Sequence, residues 1–264
     1  MLATIRKRDG IDEIPGLVAA GACGFKMSLF DTDPNRFPRI PDDELLRAFA
    51  VIADTGQVVM VHAENDEIVR SAIRRLEDRG HDPVAHCHSR PMAAESEAAL
   101  RAMELAYWTG VPLHLAHTTQ ARIFHLVEIW RGMGTRVTAE TCPHYVVLSE
   151  EDMPTLGSRE KINPPLRPAV ERDALWPLLR RGLIHSVSSD HAPWPLHRKE
   201  HPNIFQNASG APGVEVLLPL MYSEGVARER LAITDLARPL MRPSSTPTPA
   251  GAPITIGACG AVSI

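Results

Sequence analysis

Short apolar runs recur at 22–30, 57–63, 111–118, 135–141 and 183–190, and each reads as a β-strand. Between them the apolar period changes to that of a helix. After Pro41-Asp42-Asp43-Glu44, the residues Leu45, Leu46, Phe49, Ile52 and Ala53 share one face, and Gly56 stops the helix. A second helix is expected over about 94–109, ending at Gly110. A third, about 120–132, carries Ile123, Leu126, Val127 and Trp130 on one stripe. A fourth, about 170–181, has Pro177 in its interior, which predicts a kink or a late start. Strands alternating with helices in this way build a parallel sheet covered by helices.

Two stretches break the rhythm. The loop His191–Gly213 is long and rich in Pro, His and Asn, and a long structured loop of this kind is expected to close over a pocket. From Arg238 onward the chain is dense in Pro, Ser, Thr, Ala and Gly with no amphipathic period. The expected division is therefore a barrel-type unit over 1–237 and an irregular or degenerate tail over 238–264.

The remaining composition is that of an ordinary globular chain: 264 residues, 44% hydrophobic, 23% charged, formal net charge −4. The weak negative charge gives no support for nucleic-acid or anionic-membrane binding. No apolar run approaches the 18 or so residues that span a bilayer, and the first residues lack the apolar core of a signal peptide. Cys23, Cys87, Cys142 and Cys259 lie far apart with no CxxC pair, so a reduced, cytoplasmic protein is expected.

The candidate chemistry begins at Lys26, a lone lysine in the apolar run GFKMSLF, where a charge is costly unless something neutralises it. Three later strand-like runs end in metal-capable residues: His62, His117 and Asp190. Alternation puts Leu113, Leu115 and His117 on one face of their strand, with His114 on the other. It also puts Ile184, Ser186, Ser188 and Asp190 together. Singly, each has a plainer reading: a hydrogen-bonded core histidine, a turn-capping aspartate, a lysine that snorkels to the surface. Matching positions on successive strands favour a metal site holding a carbamylated lysine, two histidines and a carboxylate, a donor set suited to zinc.

The motifs GFKMSLF, VHAEN, HSRPMAAESEA, LAHTT, ETCPHY, INPPLR, SSDHAPW and GAPGVE occur in the order found in the cyclic amidohydrolases, which the chain resembles over about residues 10–235. These are the dihydropyrimidinase, hydantoinase, allantoinase and dihydroorotase group of the amidohydrolase superfamily. The resemblance implies a metal-dependent hydrolase of the TIM (β/α)8 barrel type with a small β-sandwich, two divalent metals (usually zinc) and a small cyclic amide or imide as substrate. Lys26 resembles the lysine whose carbon dioxide-derived carbamate bridges the metals. His62 and His117 resemble the ligands of the more exposed ion. Asp190 resembles the carboxylate that binds the other ion and carries the proton from the metal-bound hydroxide to the leaving nitrogen. Asn163, Asn207 and Gly213 fall in segments that resemble the substrate-binding regions. Glu64 is expected to orient a neighbouring ligand, Cys142 and His144 to shape the pocket wall, and Trp194 to serve as a pocket or lid aromatic. His86-Cys87-His88 has metal-like spacing but lies in an expected loop where the family places no metal. Full-length members are expected to be homo-oligomers.

The sequence also departs from the pattern. No His-x-His pair precedes Lys26, so the resemblance implies a partial barrel that lacks the first three strands and most of the small β-sandwich. Five strands would leave open edges and an exposed apolar interior, with impaired catalysis and dependence on a partner. GAPGVE and the tryptophan after Asp190-His191-Ala192-Pro193 favour hydantoinase or dihydropyrimidinase chemistry. INPPLR and PHY pull toward dihydroorotase or allantoinase. A catalytically inactive amidohydrolase-like fragment is the alternative from another class.

Overall fold

The computed structural model describes residues 1–6, 10–32 and 37–241. Six strands pair in parallel in chain order: β1 (Leu2–Ala3), β2 (Gly24–Ser28), β3 (Val58–His62), β4 (Leu113–Leu115), β5 (Val137–Thr141) and β6 (Ser186–Val187). Every predicted run holds a strand, and β4 and β6 are much shorter than their apolar runs. β1 corrects the expectation of five strands, because it pairs with β2 through Leu2–Gly24 and Ala3–Phe25. Two residues are too few to carry a period. Among the described residues one strand therefore precedes that of Lys26.

Helices Asp42–Thr55, Met92–Thr109, Ala121–Gly132 and Ala169–Arg181 lie where the period places them. Gly56, Gly110 and Gly182 close three of them at φ of 72°, 72° and 73°, a left-handed cap that costs a residue without Cβ little. Helix Ala169–Arg181 does not start late and runs through Pro177. Pro177 and Asp173 are both exposed, so water can reach the carbonyl left without its helical donor. The last described helix, Ile233–Met241, spans residue 238; the tail beyond it, 242–264, lies outside the described residues. Among the described residues no helix is long and apolar enough to cross a membrane.

Register explains the two faces of the sheet. Phe25, Val59, Leu113 and Val137 stand side by side, as do Met27, Val61, Leu115 and Ala139. All eight are buried in one core with helix residues such as Phe49, Ile52, Met103 and Phe124. The intervening rows put Lys26, Met60, His114 and Thr138 together on the opposite face, with Ser28 beside His62 and Glu140 beside Ser186 further along. This corrects the expected apolar interior. The period of two sends the apolar set to the helices and leaves the other face polar. β1 and β6 are each paired on one side only among the described residues, so the edges expected of a partial barrel are present.

Candidate active site

Lys26, His62, His117 and Asp190 gather at this polar face. His62 closes β3 and is buried, while His117 lies two residues beyond β4. Strict alternation would turn His117 toward the helices with Leu113 and Leu115. Instead β4 ends at Leu115 and His117 takes φ 39°, a left-handed conformation rare for a residue with a Cβ. That turn brings His117 Nε2 to 3.1 Å from His62 Nδ1, with ring centroids 4.8 Å apart. Asp190 shows the same device after β6, at φ 42°. The two expected ligands that lie beyond a strand end are thus both held in unusual backbone.

Glu64 fixes the state of the pair. Its Oε2 lies 2.8 Å from His62 Nε2 and also accepts from Arg90 Nη1. Burial alone would raise the Glu64 carboxyl, but the Arg90 guanidinium and His62 hold it down at about 2. An ionised Glu64 can only accept, so His62 Nε2 carries the proton and Nδ1 presents a lone pair toward His117. His117 is pushed well below the ordinary imidazole range by burial, with the charge of Lys26 adding to it. It is neutral, and its buried Nδ1 has no hydrogen-bond partner. Arg90 in turn lies over the Phe30 ring, its guanidinium carbon 4.5 Å from the centroid.

Lys26 is half-buried and its amine is lowered, because burial outweighs the opposing charges of Asp190 and Glu140. Asp190 is exposed, although dense protein surrounds its carboxyl. That crowding raises its carboxyl against the pull of Lys26. Glu140 is buried, with Oε2 3.3 Å from His114 Nε2. Burial would raise it, but His114 and then Lys26 hold it below the ordinary carboxylate value. His114 Nδ1 meets Thr138 Oγ1 at 2.8 Å. No role for Glu140 or His114 follows from the sequence alone, although the same period of two places both on the polar face.

The other predicted residues are placed as follows. Asn163 is half-buried, with a buried Oδ1 that has no partner. Asn207 is buried and spends its side chain on the loop itself: Nδ2 donates to His201 O at 2.8 Å and Oδ1 accepts from His201 N at 2.8 Å. Gly213 donates its N–H to His191 Nδ1 at 3.0 Å, which ties GAPGVE to the turn after Asp190. A Cβ there would stand 2.9 Å from Ser189 O, so the close approach requires glycine. Trp194 donates to Ser209 O at 2.9 Å. Cys142 is buried with Sγ 3.7 Å from Ser188 Oγ. His144 is pushed down to about 3 by burial and its Nε2 has no partner. His86 and His88 sit in a short helix, Ala85–His88, rather than the expected loop. His86 Nε2 lies 2.9 Å from Ile162 O and His88 is exposed, so the two do not converge.

Two buried lysines anchor the loop. Lys161 Nζ donates to Phe205 O at 3.1 Å and to Asn207 O, and Lys199 Nζ donates to Arg159 O at 2.9 Å and Lys161 O at 3.2 Å. Burial, with the charges of Arg90 and Lys199 adding to it, lowers Lys161 to about 7. Between pH 7 and about 10 the unfolded chain binds a proton there that the folded chain does not, so stability rises with pH across this window. Replacing Lys161 with methionine is expected to flatten that rise. Melting curves from pH 7 to 10 check it, and equal slopes in the two proteins would refute it.

No family model matches the chain. Curated proteins do: it is 35% identical over 238 residues to an allantoinase of Solibacter usitatus, covering 88% of this chain and 52% of the relative. It is also 35% identical over 231 residues to a D-hydantoinase of Ralstonia pickettii, covering 85% and 50%. The solved L-hydantoinase (dihydropyrimidinase) of Arthrobacter aurescens superposes with a TM-score of 0.85 at 32% identity, covering 88% of this chain and 52% of that one. Over the shared stretch the chain is similar to the cyclic amidohydrolases. It spans about half the length of the relatives it matches. The six parallel strands have the barrel fold of that family over the shared half. The motif residues Arg90, Glu95 and Arg167 form one buried network that reaches His62 through Glu64.

Proposed function

We propose that this site hydrolyses a C–N bond of a cyclic amide or imide of the hydantoin or dihydropyrimidine type, with a divalent metal, zinc by preference. The observation that carries the reading is the pair of imidazole nitrogens 3.1 Å apart, one of them a lone pair fixed by Glu64. Two nitrogens each about 2 Å from a tetrahedral ion stand about 3.3 Å apart, so the pair fits one ion. Among the described residues no three His, Cys, Asp or Glu side chains converge on such a centre. Lys26 is the natural third donor. Its lowering favours the neutral, nucleophilic amine, which adds to carbon dioxide with loss of a proton to give an anionic carbamate whose oxygens can bind metal.

A bound divalent ion supplies Lewis acidity toward the ring carbonyl and lowers the pKa of water toward neutrality. The protein groups do the rest. Asp190, raised by its surroundings, accepts the proton of the attacking water and returns it to the departing ring nitrogen. Asn163 Oδ1 is available to accept a ring N–H. The same reading expects a cytoplasmic homo-oligomer.

A second reading has support of its own. Asp190 and a Lys26 carbamate are too few ligands to close a second metal site, and among the described residues the sheet keeps two open edges. The chain by itself would then take up one ion and turn over slowly or not at all. Zinc and bicarbonate added to the purified chain, followed by hydantoin, dihydrouracil, allantoin and dihydroorotate, test both. The expected result is one zinc per chain, a carbamate mass on Lys26, and any ring opening fastest with hydantoin or dihydrouracil. A folded chain that takes up no zinc refutes the metal reading, and a preference for dihydroorotate refutes the ring assignment.

A further inference from the structure

Behind the two histidines lies a buried ionic cluster whose acceptor is Glu95, on helix Met92–Thr109. Glu95 Oε1 accepts the backbone N–H of Thr119 at 2.8 Å. Its Oε2 accepts the Thr119 hydroxyl, Gln120 Nε2 at 2.9 Å and Arg167 Nη2 at 2.7 Å. Arg167 Nε donates at 2.9 Å to the same Thr119 hydroxyl, and Arg167 Nη1 donates to the carbonyl of Arg90. The threonine hydroxyl thus gives its proton to Glu95 and receives one from Arg167, which leaves no free rotor.

Thr119 is two residues beyond His117, the residue held at φ 39°. A backbone conformation this sparsely populated persists only when its surroundings over-determine it. The strand side of the turn is held by Thr118 N donating to Glu140 O at 2.8 Å and by Thr141 Oγ1 donating to Thr118 O at 2.8 Å. On the helix side the hold at Thr119 comes from Glu95, with Arg167 bound to both.

We propose that Glu95 and Arg167 are positioning residues that lock the turn at His117, and through it set the imidazole against His62. The consequence for metal affinity rests on the metal reading above; the effect on ring geometry does not. The test uses Glu95→Gln, Thr119→Val and the conservative Thr119→Ser. Zinc affinity is measured by chelator competition, and the ring nitrogens of His62 and His117 are followed by long-range nitrogen–proton NMR correlations in metal-free protein.

Glu95→Gln and Thr119→Val are expected to weaken zinc binding about 10- to 100-fold, the range typical of losing an outer-shell partner. Thr119→Ser, which keeps the hydroxyl, should bind like the parent. The His117 ring resonances should move in the first two variants, while the His62 Nε2 resonance, held by Glu64, stays in place. Unchanged ring resonances and zinc affinity with only a lower melting temperature would overturn the proposal. Should Glu95→Gln not fold, the Thr119→Val and Thr119→Ser pair decides. A parent chain that binds no zinc would sink the metal reading, and the metal-free ring resonances would still judge the clamp.

Discussion

Replacing Arg90 with methionine is expected to destabilise the protein by about 3–5 kcal/mol, the usual cost of removing one partner of a buried ion pair. Arg90 and Glu64 are 4% and 1% exposed, so the carboxylate left behind cannot recover its lost partner from water. Methionine fills a similar volume and can still pack on Phe30, which limits the loss from packing. The pH dependence should change as well. With Arg90 in place Glu64 is held at about 2, so its contribution is fully present above about pH 4.5 and is lost as pH falls toward 2. Without the guanidinium, burial is the leading influence and the Glu64 carboxyl rises, so acid instability begins at a higher pH. Denaturant unfolding at pH 7 and pH 4 checks both effects. Glu64→Gln placed on Arg90→Met should recover part of the loss, because the uncompensated charge is then gone. A cost below about 1 kcal/mol would mean that water reaches Glu64 and that the pair is not a buried one.

Replacing Asp190 with asparagine is expected to lower any ring-opening rate by about 10²–10⁴-fold, the range for loss of a positioned proton carrier. Asparagine is among the few side chains that tolerate the left-handed conformation Asp190 adopts at φ 42°, so the turn should survive. The amide cannot take a proton from water or deliver one to nitrogen. Losing the charge also removes the largest influence that raises the Lys26 amine, which should drop further. Steady-state rates on the preferred ring, with circular dichroism to verify the fold, test this. An active Asp190→Asn enzyme would require another group to move the proton, and buried Glu140, which also acts on the Lys26 amine, is the acid to examine.

The four candidate ligands were legible because each lies in or just beyond a strand, and a period of two marks strands well. The same period misplaced His117, since a left-handed φ at a residue past the strand end swings that residue's own side chain off the strand's alternation. The expected apolar interior failed for the opposite reason: the alternation was obeyed, and it sent every apolar row to the helices. Pro177 drew attention as a helix breaker, yet it sits on the exposed face where its cost is small. Asn207 falls in a segment that resembles a substrate-binding region, and packing gives its amide a second task, closing a loop turn.

The sequence by itself determined the strand and helix order, the candidate metal ligands, and the resemblance to the cyclic amidohydrolases through eight ordered motifs. Local periods and residue chemistry carry that much, because both are written within a few positions of each other. The tertiary structure decided which groups act on those residues. Glu64 reaches Arg90 across 26 positions and Arg167 reaches Glu95 across 72, and no period links such distances. Only the packing of strand ends against helix Met92–Thr109 brings these charges together. Buried where water cannot screen them, they set the tautomer of His62 and, by our inference, the turn of His117.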